Sequence, residues 1–80
     1  MEDMRQVVAR NLRRIRQDRS LTQEELSFRA EVDRSYISQL ENGQYAASVE
    51  MLAKLAKALN VEPAAFFEPP PKRARRRSKP

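Results

Sequence analysis

Between Leu21 and Gly43 the sequence writes out two short helices in immediate succession, and nothing else in the chain restricts the fold as much. Thr22 is a good N-cap and Glu25, three residues on, completes a capping box. Leu21 and Leu26 hold the two positions of a hydrophobic staple, so a helix is specified from about Gln23 to Arg29. The pattern repeats at once. Asp33 is the next N-cap, with Val32 before it and Ile37 at the fourth helical position, and this helix should close at Asn42-Gly43, where glycine permits a left-handed turn. Only the segment from Ala30 to Asp33 separates the two. So short a connection makes the helices cross steeply instead of lying antiparallel, the geometry of a helix-turn-helix. Spacing alone is a weak mark, since any small bundle can contain a tight turn.

The flanking sequence is helical too. Met4, Val8, Leu12 and Ile15 recur at helical spacing and form a face that closes near Asp18. Ser48 caps a longer helix whose Val49, Leu52, Leu55, Ala56 and Leu59 make an apolar stripe, with Asn60 as its stop. Pro63 suits the first position of a final short helix that carries Phe66 and Phe67. The expectation is an all-α, compact five-helix domain over residues 1–68. Beyond it, residues 69–80 are Pro-rich and then basic, with nothing apolar to bury, and read as a disordered tail. A single domain of this size buries only about 60% of its unfolded surface, which favours self-association.

The chain has no cysteine and no histidine among its 80 residues. That removes disulfides, thiol nucleophiles, Cys/His zinc sites and Ser–His pairs, and no catalytic residue, metal site or cofactor is nominated. No apolar run approaches the roughly 18 residues of a membrane span. The start, MEDMRQVV, lacks the basic-then-apolar pattern of a signal peptide, so a cytoplasmic location and no membrane partner are expected. The 16 Lys and Arg outnumber the 11 Asp and Glu by five. Six of those bases, Lys72, Arg73, Arg75, Arg76, Arg77 and Lys79, lie in the tail; residues 1–71 hold 10 bases against 11 acids, a net of −1. A folded part that meets nucleic acid must do so with placed side chains and not with bulk charge.

On a wheel of about 100° per residue, Arg34, Ser35, Ser38, Gln39 and Asn42 share one sector of the third helix, and Tyr36, Ile37 and Leu40 the opposite one. The apolar side anchors the helix. The other is a row of hydrogen-bonding groups suited to the major groove: Arg pairs bidentately with guanine, Gln with adenine, and Ser with several bases. A solvated helix face has the same look, and the wheel alone does not separate the two readings.

The stretch LTQEELSFRAEVDRSYISQLENGQ, followed by SVEMLAKLAKALNV, resembles the Xre and phage-repressor (Cro-type) helix-turn-helix family over residues 8–67. AEVDRSYISQLENG resembles in particular the small controller proteins of restriction-modification systems. The resemblance implies a lambda-repressor-like domain that regulates transcription as a homodimer on a palindromic operator in double-stranded DNA, nucleoid-associated and without a small-molecule ligand. It places base reading on Arg34, Ser35 and Gln39, with Ser38 adjacent; for Ser35 and Ser38 the alternative is that small residues merely let DNA approach. Phosphate contacts fall on Gln23, after its N-cap, and on Asn42, Gln44 and Tyr45 in the loop after the recognition helix. Gln23 can equally be a solvated first-turn residue, and Asn42-Gly43 a plain helix stop. Tyr36 either packs its ring on the scaffold or adds a phosphate contact. Arg16 and Glu41 match positions that form a partly buried ion pair in relatives, a structural role. One departure stands out: Glu31 occupies a turn position usually held by glycine, and a left-handed conformation there would cost about 1 kcal/mol or more.

Phe66 and Phe67 are the candidates for a dimer interface, Phe67 foremost, because two adjacent aromatics are hard to bury together in so small a core. The alternative is that both close the bottom of the core. The basic tail has three readings: non-specific DNA affinity, arginines in an adjacent minor groove, or a nuclear localisation signal. A rival of another class is an antitoxin-like or adaptor module that uses the same fold to hold a protein partner.

Overall fold

A computed structural model describes residues 3–69. Its elements are α1 (Met4–Asp18), α2 (Gln23–Ala30), α3 (Arg34–Glu41) and α4 (Val49–Leu59), followed by a 3-10 helix at Pro63–Phe67. No strand occurs among the described residues. The tail positions Lys72, Arg73, Arg75, Arg76, Arg77 and Lys79 lie outside them. The final short helix is thus a 3-10 helix, and the described residues hold four α-helices and not five. Glu68 is extended and precedes Pro69, and a residue before proline is driven out of the helical region, leaving room for only a short i→i+3 segment.

Local chemistry starts three of the four α-helices through side-chain caps. The Asp3 carboxylate accepts from the Arg5 amide at 2.9 Å, and the Arg5 guanidinium beside it holds that carboxyl below the usual carboxylate range. The capping box closes in both directions: the Glu25 amide donates to Thr22 Oγ1 at 3.0 Å and the Thr22 amide to Glu25 Oε1 at 2.8 Å. Ser48 Oγ accepts from the Met51 amide at 3.0 Å. The helix ends follow one rule. Ser20, Glu31, Gly43 and Asn60 each adopt a positive φ, of 59°, 57°, 74° and 59°. After each, the next amide reaches back five residues: Leu21 to Arg16, Val32 to Ser27, Gln44 to Gln39 and Val61 to Ala56, at 2.9–3.1 Å. This is the Schellman closure, and only one of the four uses glycine.

The core gathers Val8, Leu12 and Ile15 of α1 with Leu21, Leu26, Ala30, Ile37, Leu40, Leu52, Leu55, Ala56, Leu59 and Phe66. Helix α1 packs on α3 and on the 3-10 helix, and α2 on α3 and α4. Two residues of the expected apolar faces stay outside: Met4 and Val49 are the first residues of their helices, project past the core and are exposed. A polar residue fills the opposite exception. Asn11, only 1% exposed, donates through Nδ2 to the carbonyls of Phe66 at 2.9 Å and Glu68 at 2.8 Å. Its Oδ1 accepts from Arg14 at 3.1 Å. The buried amide thereby fastens the end of the domain to α1.

Candidate nucleic-acid interface

Helix α3 is held from behind and open in front. Ile37 and Leu40 are buried and Tyr36 packs half-buried against the core. On the outer side Arg34, Ser35, Ser38 and Gln39, together with Asp33, line one open groove. Arg34 and Ser35 are exposed and Ser38 and Gln39 half-buried. Arg34 also borders a second depression, shared with Arg16, Thr22, Gln23 and Glu24. The outer face of α3 and the start of α2 therefore form a continuous surface with Arg34 at the junction.

Glu41 organises what lies beneath that surface. It is the last residue of α3, and its side chain is only 3% exposed. Its carboxylate accepts from Arg16 Nε at 2.6 Å and from Arg16 NH2 at 3.0 Å, a bidentate pair joining α1 to α3. Arg16 NH1 donates to the Leu21 carbonyl at 2.7 Å. Gln23 Nε2 donates to Glu41 Oε1 at 3.1 Å, which brings α2 into the same network. One amide hydrogen of Gln23 is thereby engaged, while its other hydrogen and its carbonyl remain for a ligand.

The loop after α3 is pinned from two sides. Gly43 has φ +74°, a left-handed dihedral that calls for glycine, while a Cβ there would meet only the end of the exposed Gln6 side chain, which can move aside. The Tyr36 and Tyr45 rings stand 6.0 Å apart at 30°. Tyr36 thus supports the loop by packing, while Asn42, Gln44 and Tyr45 are exposed beside the end of α3. The two phenylalanines separate: Phe66 is completely buried in the core and Phe67 is 44% exposed. Phe66 is therefore not available to a partner surface, which corrects its pairing with Phe67 as an interface residue. A 3-10 turn points its side chains about 120° apart, so consecutive residues cannot share one face.

Asp33 departs from its expected role. It has the extended dihedrals of an N-cap but makes no side-chain cap bond; its carboxylate accepts from the Ser35 hydroxyl instead. Sequence reasoning also passed over Asn11 and Gln6. Asn11 could have been found as a polar residue on the apolar face of α1, three residues from Val8. Gln6 carries no such mark.

Among the described residues no helix is long and apolar enough to cross a membrane, and no cluster of acidic side chains could hold a metal ion. Residues 12–66 match the family model described as helix-turn-helix. An uncharacterized HTH-type transcriptional regulator of Sinorhizobium fredii, y4dJ, is 42% identical over 59 residues, covering 74% of this chain and 77% of the relative. The restriction-modification controller protein C.AhdI from Aeromonas hydrophila superposes with a TM-score of 0.76 at 38% identity, over 79% of this chain and 96% of its own. The controller C.Esp1396I, solved as a tetramer in complex with its natural 35 base-pair operator, superposes with a TM-score of 0.75 at 28% identity, over 84% of this chain and 88% of its own.

Proposed function

The chain belongs to the helix-turn-helix family of Xre type, and we propose that it is a sequence-specific transcriptional regulator that binds double-stranded operator DNA as a homodimer, in the manner of a restriction-modification controller. The observation that carries this reading is the open groove along α3, lined by Arg34, Ser35, Ser38 and Gln39 on a helix whose opposite side is locked into the core. A protruding helix held this way fits the major groove and presents hydrogen-bonding groups to base edges. Gln23 at the start of α2, and Asn42, Gln44 and Tyr45 beside the end of α3, flank that groove where the phosphate backbones would run. Tyr36 stands beside the Tyr45 ring on that flank.

One recognition helix reads only a few base pairs, and a two-fold dimer doubles the contact over half-sites about one helical turn apart. Phe67 is the apolar residue exposed at the end of the domain for such a contact. The folded part extends to residue 68, and the basic residues from Lys72 to Lys79 add sequence-independent affinity for DNA. The work is binding, not catalysis, and it places the protein with the cytoplasmic nucleoid.

Selection of bound sites from random double-stranded DNA tests the reading. The expected product is a palindrome with two half-sites. Arg34→Ala should weaken binding to it by about 1–3 kcal/mol and relax one base pair in each half, as for loss of a bidentate guanine contact. Equal loss on specific and random DNA would make Arg34 a phosphate contact. A chain that selects no sequence would instead act as an adaptor that holds a protein.

A further inference from the structure

The groove along α3 is not uniformly a donor surface. An aspartate at an N-cap ordinarily accepts from the amides of the first helical turn. At Asp33 no such bond forms, and the carboxylate accepts a hydrogen bond from the Ser35 hydroxyl, two residues on. Ser35 has one hydrogen to give, and it is spent on Asp33. What Ser35 Oγ then offers the groove is lone pairs, next to the remaining lone pairs of the carboxylate. Both residues are exposed and line the groove, side by side with Arg34, a group that can only donate. The mouth of the groove thus carries an acceptor patch against a donor.

We propose that Asp33, acting with Ser35, is a specificity determinant that requires an exocyclic amino group, cytosine N4 or adenine N6, at one position of each half-site. The inference rests on the DNA-binding reading above and goes beyond it. In the major groove only these amino groups donate. Guanine O6 and N7 and thymine O4 accept, and would face the carboxylate lone pair to lone pair. A carboxylate also repels phosphates, so Asp33 adds little to affinity and acts by penalising the wrong base. Arg34 makes the opposite demand on a neighbouring base. Together they write an order of acceptor and donor along the start of α3 that neither serine nor arginine would set alone.

The experiment is site selection from random double-stranded DNA by the native full chain and by Asp33→Asn, Asp33→Ser and Ser35→Ala, followed by competition binding on single-base variants of the native site. Asparagine and serine remain good N-caps, and a melting curve for each variant checks that the fold is kept. The expected result is that Asp33→Ser loses about tenfold or more of the discrimination at one cytosine or adenine position per half-site, and that Asp33→Asn, whose amide can itself pair with adenine, loses it where that base is cytosine and shifts or keeps the preference to adenine. The remaining positions, including the one that Arg34→Ala relaxes, keep their preference. Ser35→Ala should weaken preference at that same position. If Asp33→Ser tightens binding to every sequence alike, or enriches the same site with unchanged preferences, the role of Asp33 is overturned. An effect of Ser35→Ala at a different position overturns the coupling between the two. A native chain that enriches no sequence overturns the DNA-binding reading itself, and this inference with it.

Discussion

Arg16 on α1 and Glu41 at the end of α3 meet through two hydrogen bonds, of 2.6 and 3.0 Å, with their side chains only 11% and 3% exposed. The pair does more than join two helices, because the same carboxylate holds the Gln23 amide at 3.1 Å. A buried ion pair adds little net stability over a well-packed apolar pair, but removing one partner strands the other charge.

Arg16→Met should therefore destabilise the fold by about 3–5 kcal/mol in urea unfolding. The double replacement Arg16→Met with Glu41→Leu should recover most of that stability. It should not recover DNA affinity, since Gln23 loses the acceptor that orients it. Equal recovery of both would show that Gln23 does not depend on the network.

Glu31 and Gly43 occupy equivalent left-handed caps with opposite consequences. Glu31→Gly should stabilise the protein by about 0.5–1 kcal/mol, the strain of a side chain at positive φ less the extra freedom glycine gains when unfolded. Gly43→Ala should destabilise it through the left-handed dihedral, and removing the Gln6 side chain as well should return little, because that exposed chain end can move aside. Thermal melts of the variants measure both.

Asn11→Ala should cost about 2 kcal/mol, as it leaves the buried Phe66 carbonyl without its donor. The 3-10 helix would be held less firmly, and with it Phe67. Phe67→Ser should move the equilibrium from dimer to monomer in sedimentation, beyond the cost to the monomer of losing the part of the ring that is already covered. A dimer of unchanged affinity would place the interface elsewhere.

Truncation after Pro71 should reduce the slope of log affinity against log salt by about 0.9 for each phosphate that the tail neutralises. Preference among operator variants should stay the same. A slope that does not move would exclude the tail from DNA contact.

Much of the domain was legible because its rules are local. The Thr22–Glu25 box, the Leu21–Leu26 staple, the Ser48 cap and the stop at Gly43 each depend on residues within one or two turns, which the chain order already brings together. The split of α3 into an inner and an outer face follows from its periodicity in the same way. Ser20 carried no mark of a left-handed cap, and at Glu31 only the resemblance raised one, since neither is a residue type that favours positive φ and both are held there by the Schellman bonds.

Local order along the chain sets the helices, where most of them begin and end, and which side of α3 carries the polar row. Tertiary structure decided that Phe66 is buried while Phe67 is exposed, that Asn11 ties α1 to carbonyls more than fifty residues away, and that Gln23 shares Glu41 with Arg16. The physical reason is one of range. A cap or a helix face is settled by neighbours in sequence, but a buried amide and a shared carboxylate depend on which distant atoms the packed core brings within hydrogen-bonding reach.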